Sequence, residues 1–158
     1  MLKKCIDINT KFTRDDRGFH ITNALTLVLS LNEQQMSVLT QQYATFLQQF
    51  SWSYFLTART PYKVNLNTPI NWSNRLLSND KVDRVFYSVE RDKGDWTNKH
   101  VHMLVGTNRP MSYNETRTSL GNIAVGNYEL IESPKAVTNY VTKFVDRDCD
   151  YDIYFKLK

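Results

Sequence analysis

Three kinds of side chain in this sequence can act on one another. His100 and His102 stand one residue apart in the run NKHVHMLVG. On a β-strand alternate side chains share a face, so both imidazoles project to one side while Val101, Met103 and Val105 project to the other. Neutral imidazole ligates divalent metals, and two rings on one rigid strand face can share an ion. Glu90 closes the preceding apolar segment RVFYSVE, where it alternates with Phe86 and Ser88. If Glu90 lies opposite His100 or His102 in an antiparallel pair, its carboxylate joins the imidazoles; a slip of one residue sends it to the far face. Two surface histidines beside a loop-edge glutamate are the alternative. Two imidazoles and a carboxylate leave coordination positions open, which marks a catalytic ion able to polarise a phosphoryl oxygen.

Displacement at phosphorus also needs a nucleophile. Tyr140 and Lys143 stand three apart and share a face if the segment TNYVTKF is helical. A phenol is a poor nucleophile at its ordinary pKa of about 10, so a neighbouring cation is useful, either to lower that value or to assist the leaving oxygen. The alternative is a core tyrosine beside a solvated lysine.

The elements that must position these groups follow from periodicity. Residues 21–29, ITNALTLVL, are apolar enough for a strand, with a helical turn as the alternative. The segment 30–50 carries Met36, Leu39, Tyr43, Phe46, Leu47 and Phe50 at helical spacing, with Ser30 and Glu33 spaced as a capping box. SYFLTART, 53–60, is rich in β-formers and stops at Pro61. Residues 62–79 read as irregular with a short helix near 74–77. RVFYSVE (84–90) and KHVHMLVG (99–106) flank a polar loop containing Gly94, the pattern of an antiparallel hairpin. A short helix over 112–122 and a strand over 125–132 follow. Ser133 and Pro134 then open a helix that carries KAVTNYVTKFVDRD, because the hydroxyl can cap free amides and Pro suits the first turn. YDIYFKL reads as a closing strand. Strands and helices mixed with hairpins, without a regular βαβ repeat, predict an α+β fold.

Composition bounds the reading. The 158 residues are the size of one domain, and 41% hydrophobic with 23% charged residues fits a packed core. Two cysteines, Cys5 and Cys149, give neither a disulfide framework nor metal-knuckle spacing, so a reducing, cytoplasmic setting is expected. No apolar run approaches a bilayer span, and the start lacks the apolar segment of a secretory signal, so no membrane partner is expected. A formal charge of +4, a pI of about 9.0 and 13% aromatic residues favour an acidic, base-bearing partner.

Taken in order, these segments resemble the HUH superfamily of single-strand endonucleases, in particular the rolling-circle replication initiators (Rep proteins) of plasmids, phages and other small replicons. The first motif of that family, an apolar strand with alternating threonines, is matched by Phe55, Leu56, Thr57, Ala58, Arg59 and Thr60. The second is matched by His100-Val101-His102, preceded by the strand-borne acid Glu90. The third is matched by Tyr140-Val141-Thr142-Lys143. The resemblance covers residues 55–145 and implies one HUH endonuclease domain over 1–158, with an RRM-like or ferredoxin-like antiparallel sheet and packed helices. It also implies a Mg²⁺ or Mn²⁺ ion on Glu90, His100 and His102, and single-stranded DNA, at an origin hairpin or nick site, as substrate. Tyr140 would attack the scissile phosphate and form a 5′-phosphotyrosine, assisted by Lys143. A single tyrosine fills the motif, so the chain is similar to single-tyrosine members. His20 is remote in sequence and reads as structural. No Gly-rich phosphate loop follows, so a host or separately encoded helicase, with a polymerase, is expected.

Arg59, Lys63, Arg91, Lys93, Lys99 and Lys135 lie near the motif segments as candidate phosphate contacts, and Trp96 as a stacking residue or a loop anchor. The acids of DRDCDYD, 146–152, read mainly as a solvated turn, with Asp146 or Asp150 the ones able to approach the ion. Two other readings share these features. One is a transposase or mobilisation relaxase using the same three motifs. The other is a non-catalytic RRM-like sheet that binds single strands through its aromatics, without metal.

Overall fold

The computed structural model describes residues 37–156 apart from 148, and position 96 through its backbone alone. The expected strand over 21–29, the capping box at Ser30 and Glu33, Met36, Cys5 and His20 lie outside the described residues. The elements are α1 (Val38–Leu47), β1 (Tyr54–Arg59), α2 (Asn67–Ser78), β2 (Val82–Asp92), β3 (Asp95–Thr107), α3 (Tyr113–Ser119), β4 (Ala124–Leu130), α4 (Pro134–Thr142) and β5 (Tyr151–Phe155). The fold is α+β. Among the described residues, one five-stranded sheet in the order β4-β1-β3-β2-β5 pairs antiparallel throughout, and four helices pack against it. From β1 to β4 the chain runs βαββαβ, the order of a ferredoxin-like or RRM-like core.

Alternation along the central strands divides the sheet into two packed faces. Leu56, Val85, Tyr87, Val101, Met103 and Val105 bury with Trp72 and Leu76 of α2, and with Met111 and Leu120 on either side of α3. Phe55, Phe86 and Leu104 bury on the other face with Leu47 at the end of α1 and Val137 and Val141 of α4. That second face also carries Thr57, Glu90, His100 and His102, and its helices cover the apolar half while α4 reaches toward the imidazoles. Burying one such Phe or Leu side chain is worth about 1.5–3 kcal/mol.

Local sequence accounts for most boundaries. Ser37 caps α1 by accepting from the Thr40 amide at 3.2 Å, and the Trp52 indole donates to the Leu47 carbonyl at 2.7 Å at the other end. The packed face of α1 is Thr40, Ala44 and Leu47. Phe46, expected on the apolar stripe, falls off that face, stays 39% exposed and packs edge-on against Phe50. Ser112 and Glu115 form a reciprocal capping box on α3. Ser133 accepts from the Ala136 amide at 3.4 Å to open α4, with Pro134 in its first turn.

Three expectations from the sequence need correction. Residues 67–78 form a full helix. The Asn65 side chain accepts from the amides of Asn67 and Thr68 at 3.0 and 3.1 Å, Pro69 sits in the first turn, and Trp72 and Leu76 bury one turn apart. Tertiary burial outweighs the weak helix propensity of its Asn and Ser residues. The polar loop expected over 91–98 shrinks to Lys93 and Gly94, with Gly94 at φ +79° as a tight turn requires; β2 and β3 extend through the rest. Finally, α4 ends at Thr142 rather than running on through 147, leaving Lys143 as its C-cap.

Candidate metal centre

The hairpin settles the register on which the donor set depends. Glu90 pairs directly with His100, and Ser88 with His102, so Glu90 and both imidazoles fall on one face. His100 Nε2 lies 3.1 Å from His102 Nε2, and Glu90 Oε2 lies 3.1 Å from His102 Nε2 and 3.8 Å from His100 Nε2. A triangle with sides 3.1, 3.1 and 3.8 Å has a circumradius of about 2.0 Å, so a point about 2.1 Å from all three atoms exists just off their plane. That is the bond length of a small divalent cation to nitrogen and oxygen. Among the described residues, Glu90, His100 and His102 are the one group of three or more His, Cys, Asp or Glu side chains close enough together to hold a metal ion.

The chemistry of the donor set fits such an ion. Asp92 Oδ1 lies 2.6 Å from His100 Nδ1 and Thr57 Oγ1 lies 3.0 Å from His102 Nδ1. With its outer nitrogen donating to Asp92, His100 turns its Nε2 lone pair toward Glu90 and His102; the Thr57 hydroxyl can donate or accept, so His102 Nε2 can itself donate to Glu90 Oε2 at 3.1 Å. The Lys143 ammonium, 2.9 Å from Glu90 Oε2, already sets positive charge beside this group, and a cation bound between the three atoms would add to it. Both histidines are buried, at 8% and 3% exposure, which keeps the inner lone pairs from water. Asn127 of β4 donates to Thr57 Oγ1 at 3.5 Å, completing the support of His102 from the neighbouring strand.

Protonation states point the same way. Burial lowers His102 to about 4, against the opposing pull of Glu90. Burial also lowers His100, with Glu90 and Asp92 pulling it up. Burial would raise the Glu90 carboxyl, but its hydrogen bond with His102 and the Lys143 ammonium outweigh that and hold it at about 2. At neutral pH the centre is therefore two neutral imidazoles and a carboxylate, the forms that ligate a metal.

Tyr140 and Lys143 come to this centre from α4. The Tyr140 hydroxyl lies 3.4 Å from His102 Nε2, and its ring meets His102 edge-on with centroids 5.1 Å apart. Lys143 Nζ sits 2.9 Å from Glu90 Oε2 and 3.9 Å from the centre of the Tyr140 ring. Burial raises the phenol pKa; the Lys143 charge opposes the rise and the Glu90 charge adds to it. The lysine therefore does not pre-ionise the resting phenol.

The remaining candidates separate. Arg59, Lys63 and Lys99 line one polar groove of about 240 Å³ together with Tyr62, Thr97 and Asp92, next to His100. Arg59 is held by Asp92 at 2.6 Å, and Lys99 lies 4.0 Å from Asp150. Tyr62, which the sequence did not single out, is 81% exposed at the groove. Arg91 and Lys93 lie toward the hairpin turn, Lys135 opens α4, and Trp96 is placed by its backbone on β3. Asp146 and Asp150 are not part of the three-donor group. Asp92 went unread because the sequence places it in the polar loop 91–98; carrying the alternation two residues beyond Glu90 would have found it. Asn127 carried no such signal. Among the described residues, no helix is long and apolar enough to cross a membrane. No family model, curated protein or solved structure matches the chain.

Proposed function

We propose that the chain is a metal-dependent nuclease that nicks and rejoins single-stranded DNA through Tyr140, with Mg²⁺ or Mn²⁺ on Glu90, His100 and His102. The observation that carries this reading is the Tyr140 hydroxyl 3.4 Å from the His102 nitrogen that also faces Glu90 and His100. Tyr140 is half-buried, and this contact sets its hydroxyl beside one of the three donor atoms.

A divalent ion bound there would polarise a phosphoryl oxygen and offset charge that builds up in the displacement. The chain's own groups do the rest. The Tyr140 oxygen forms a bond to phosphorus, the bond from phosphorus to the 3′ oxygen breaks, and the phenol proton passes to solvent. Lys143 is close enough to the ring to supply a proton to the departing 3′ oxygen. The product is a 5′-phosphotyrosine and a 3′ hydroxyl, and the exchange of one phosphodiester for another keeps the bond energy available for rejoining. Burial raises the phenol pKa, so the attacking oxygen is protonated at rest and loses its proton as the displacement proceeds. Arg59, Lys63, Lys99 and Tyr62 give the strand a route past His100. Replication initiation at an origin, with a helicase and polymerase supplied separately, is the role this chemistry suits; transposition or mobilisation would use the same step.

The non-catalytic RRM-like alternative is less well supported. Such a sheet offers open aromatics to bases, whereas Phe55 and Phe86 are covered by α1 and α4, and the opposite face by α2 and α3. The test is incubation with a pool of single-stranded oligonucleotides and Mn²⁺, followed by denaturing electrophoresis and mass spectrometry. A covalent adduct on Tyr140, absent with EDTA and in Tyr140→Phe, is expected. Absence of any adduct, or its persistence in Tyr140→Phe, defeats the proposal.

A further inference from the structure

Asp92 stands at the end of β2, where the pairing with β3 shifts register between Arg91 and Asp92. Its two oxygens serve different partners. Oδ1 lies 2.6 Å from His100 Nδ1, and Oδ2 accepts from Arg59 Nη1 at 2.6 Å. Arg59 Nη2 is 3.5 Å from the same His100 nitrogen. The chain of contacts Arg59, Asp92, His100 therefore runs from the surface, where Arg59 is half-exposed, to the buried donor group.

These contacts leave one arrangement of protons. A guanidinium has donors only, and an ion-paired carboxylate has acceptors only. The short contact between Asp92 and His100 accordingly requires the proton on Nδ1. The longer Arg59 approach to that nitrogen is at the limit of a hydrogen bond and cannot compete with it. With Nδ1 protonated and the ring neutral, Nε2 presents its lone pair to Glu90 and His102. The two ligating imidazoles differ here. His102 leans on the neutral hydroxyl of Thr57, whereas His100 leans on a carboxylate, the stronger and more directional partner.

We propose that Asp92, clamped by Arg59, is the positioning residue that fixes His100 as the Nδ1–H tautomer and so preorganises the cation site. The proposal rests on reading Glu90, His100 and His102 as that site. Asp92 touches neither ion nor substrate; it acts through the imidazole. Without it, the His100 proton is free to occupy Nε2, where it stands between the donors and must be moved before a cation enters. Carboxylates that orient ligating histidines are typically worth about 10- to 100-fold in metal affinity.

Two measurements test the proposal separately from the nuclease reading. Long-range proton–nitrogen NMR of histidine-labelled protein in EDTA reads the tautomer directly, with His100 assigned by the signal lost in His100→Gln. Wild type should show Nδ1–H at His100, and Asp92→Leu should lose that preference. Asp92→Asn, whose amide can present either an oxygen or an N–H, should populate both tautomers, and it serves if the Leu variant does not fold. A wild-type His100 protonated on Nε2 overturns the proposal. Calorimetric titration with Mn²⁺ should then show affinity about 10- to 100-fold weaker in Asp92→Leu, with a smaller loss in Arg59→Ala. A changed tautomer with unchanged Mn²⁺ affinity also overturns it. A wild-type chain that binds no Mn²⁺ defeats the cation-site reading and with it the preorganising role, while the spectrum still reports whether Asp92 sets the tautomer.

Discussion

Acidification should destabilise the metal-free chain through His102, and the size of the effect follows from its burial. The imidazole is 3% exposed and its pKa falls from 6.5 to about 4. The unfolded chain therefore binds a proton that the folded chain refuses over that window. Stability rises with pH wherever the unfolded state holds more protons, so it must fall as pH drops from 6.5 toward 4. At about 1.4 kcal/mol per tenfold difference in protonation, the full effect is about 3 kcal/mol, of which about 2.5 kcal/mol is spent between pH 7 and 4.5. Glu90 contributes little in that interval, because its carboxyl is lowered from 4.5 to about 2 and its stabilisation is lost mainly as pH falls below 4.5. Urea titrations in EDTA, followed by the fluorescence of buried Trp52 and Trp72, give the unfolding free energy at each pH. His102→Gln keeps a polar atom near Nε2 but cannot titrate. Its loss of stability between pH 7 and 4.5 should be smaller than that of wild type by about 2.5 kcal/mol. Parallel pH profiles for the two proteins would refute the reasoning.

Further outcomes follow from the same geometry. Because both imidazoles are lowered and Glu90 is ionised, Mn²⁺ binding at pH 7 should release no ligand proton, and its affinity should decline only below pH 6.5; calorimetry in two buffers of different ionisation enthalpy checks this. Tyr62→Ala should weaken binding of a labelled single-stranded oligonucleotide by about 5- to 150-fold, read by fluorescence anisotropy in EDTA, because a base–ring stack is worth about 1–3 kcal/mol. Lys63→Ala should instead reduce the salt dependence of that binding by a slope of about 0.7. Leu76→Ala should cost about 2–5 kcal/mol in urea unfolding, since Leu76 is fully buried in α2, a segment whose sequence reads as irregular.

How far the sequence carried depended on where the specifying information lay. Period-two alternation in RVFYSVE and HVHMLV is local and strong, so the β2–β3 hairpin and the shared face of His100 and His102 were legible, while the place of Glu90 on that face stayed open. Alternation could not supply the register itself, which the Gly94 turn and the packing of both sheet faces determine. The helix over 67–78 was hidden because its stability comes from Trp72 and Leu76 docking on a sheet that no local window contains. Lys143 beside Tyr140 was readable from spacing, yet its contact with Glu90 joins residues 53 positions apart and appears only once α4 is laid on the sheet. Asn127 and Tyr62 lie outside any motif, and only the three-dimensional arrangement gives them neighbours.

The donors and the phenol reach the centre on different schedules. Glu90 and His102 are 12 residues apart on one hairpin, whereas Tyr140 arrives from 38 residues beyond His102 on a helix that must first dock. Hairpins close within about 1–10 μs, well before most α/β domains complete their tertiary packing. A divalent ion could thus be gripped by a partly folded chain and act as a nucleus, in which case Mn²⁺ should accelerate refolding more than it retards unfolding.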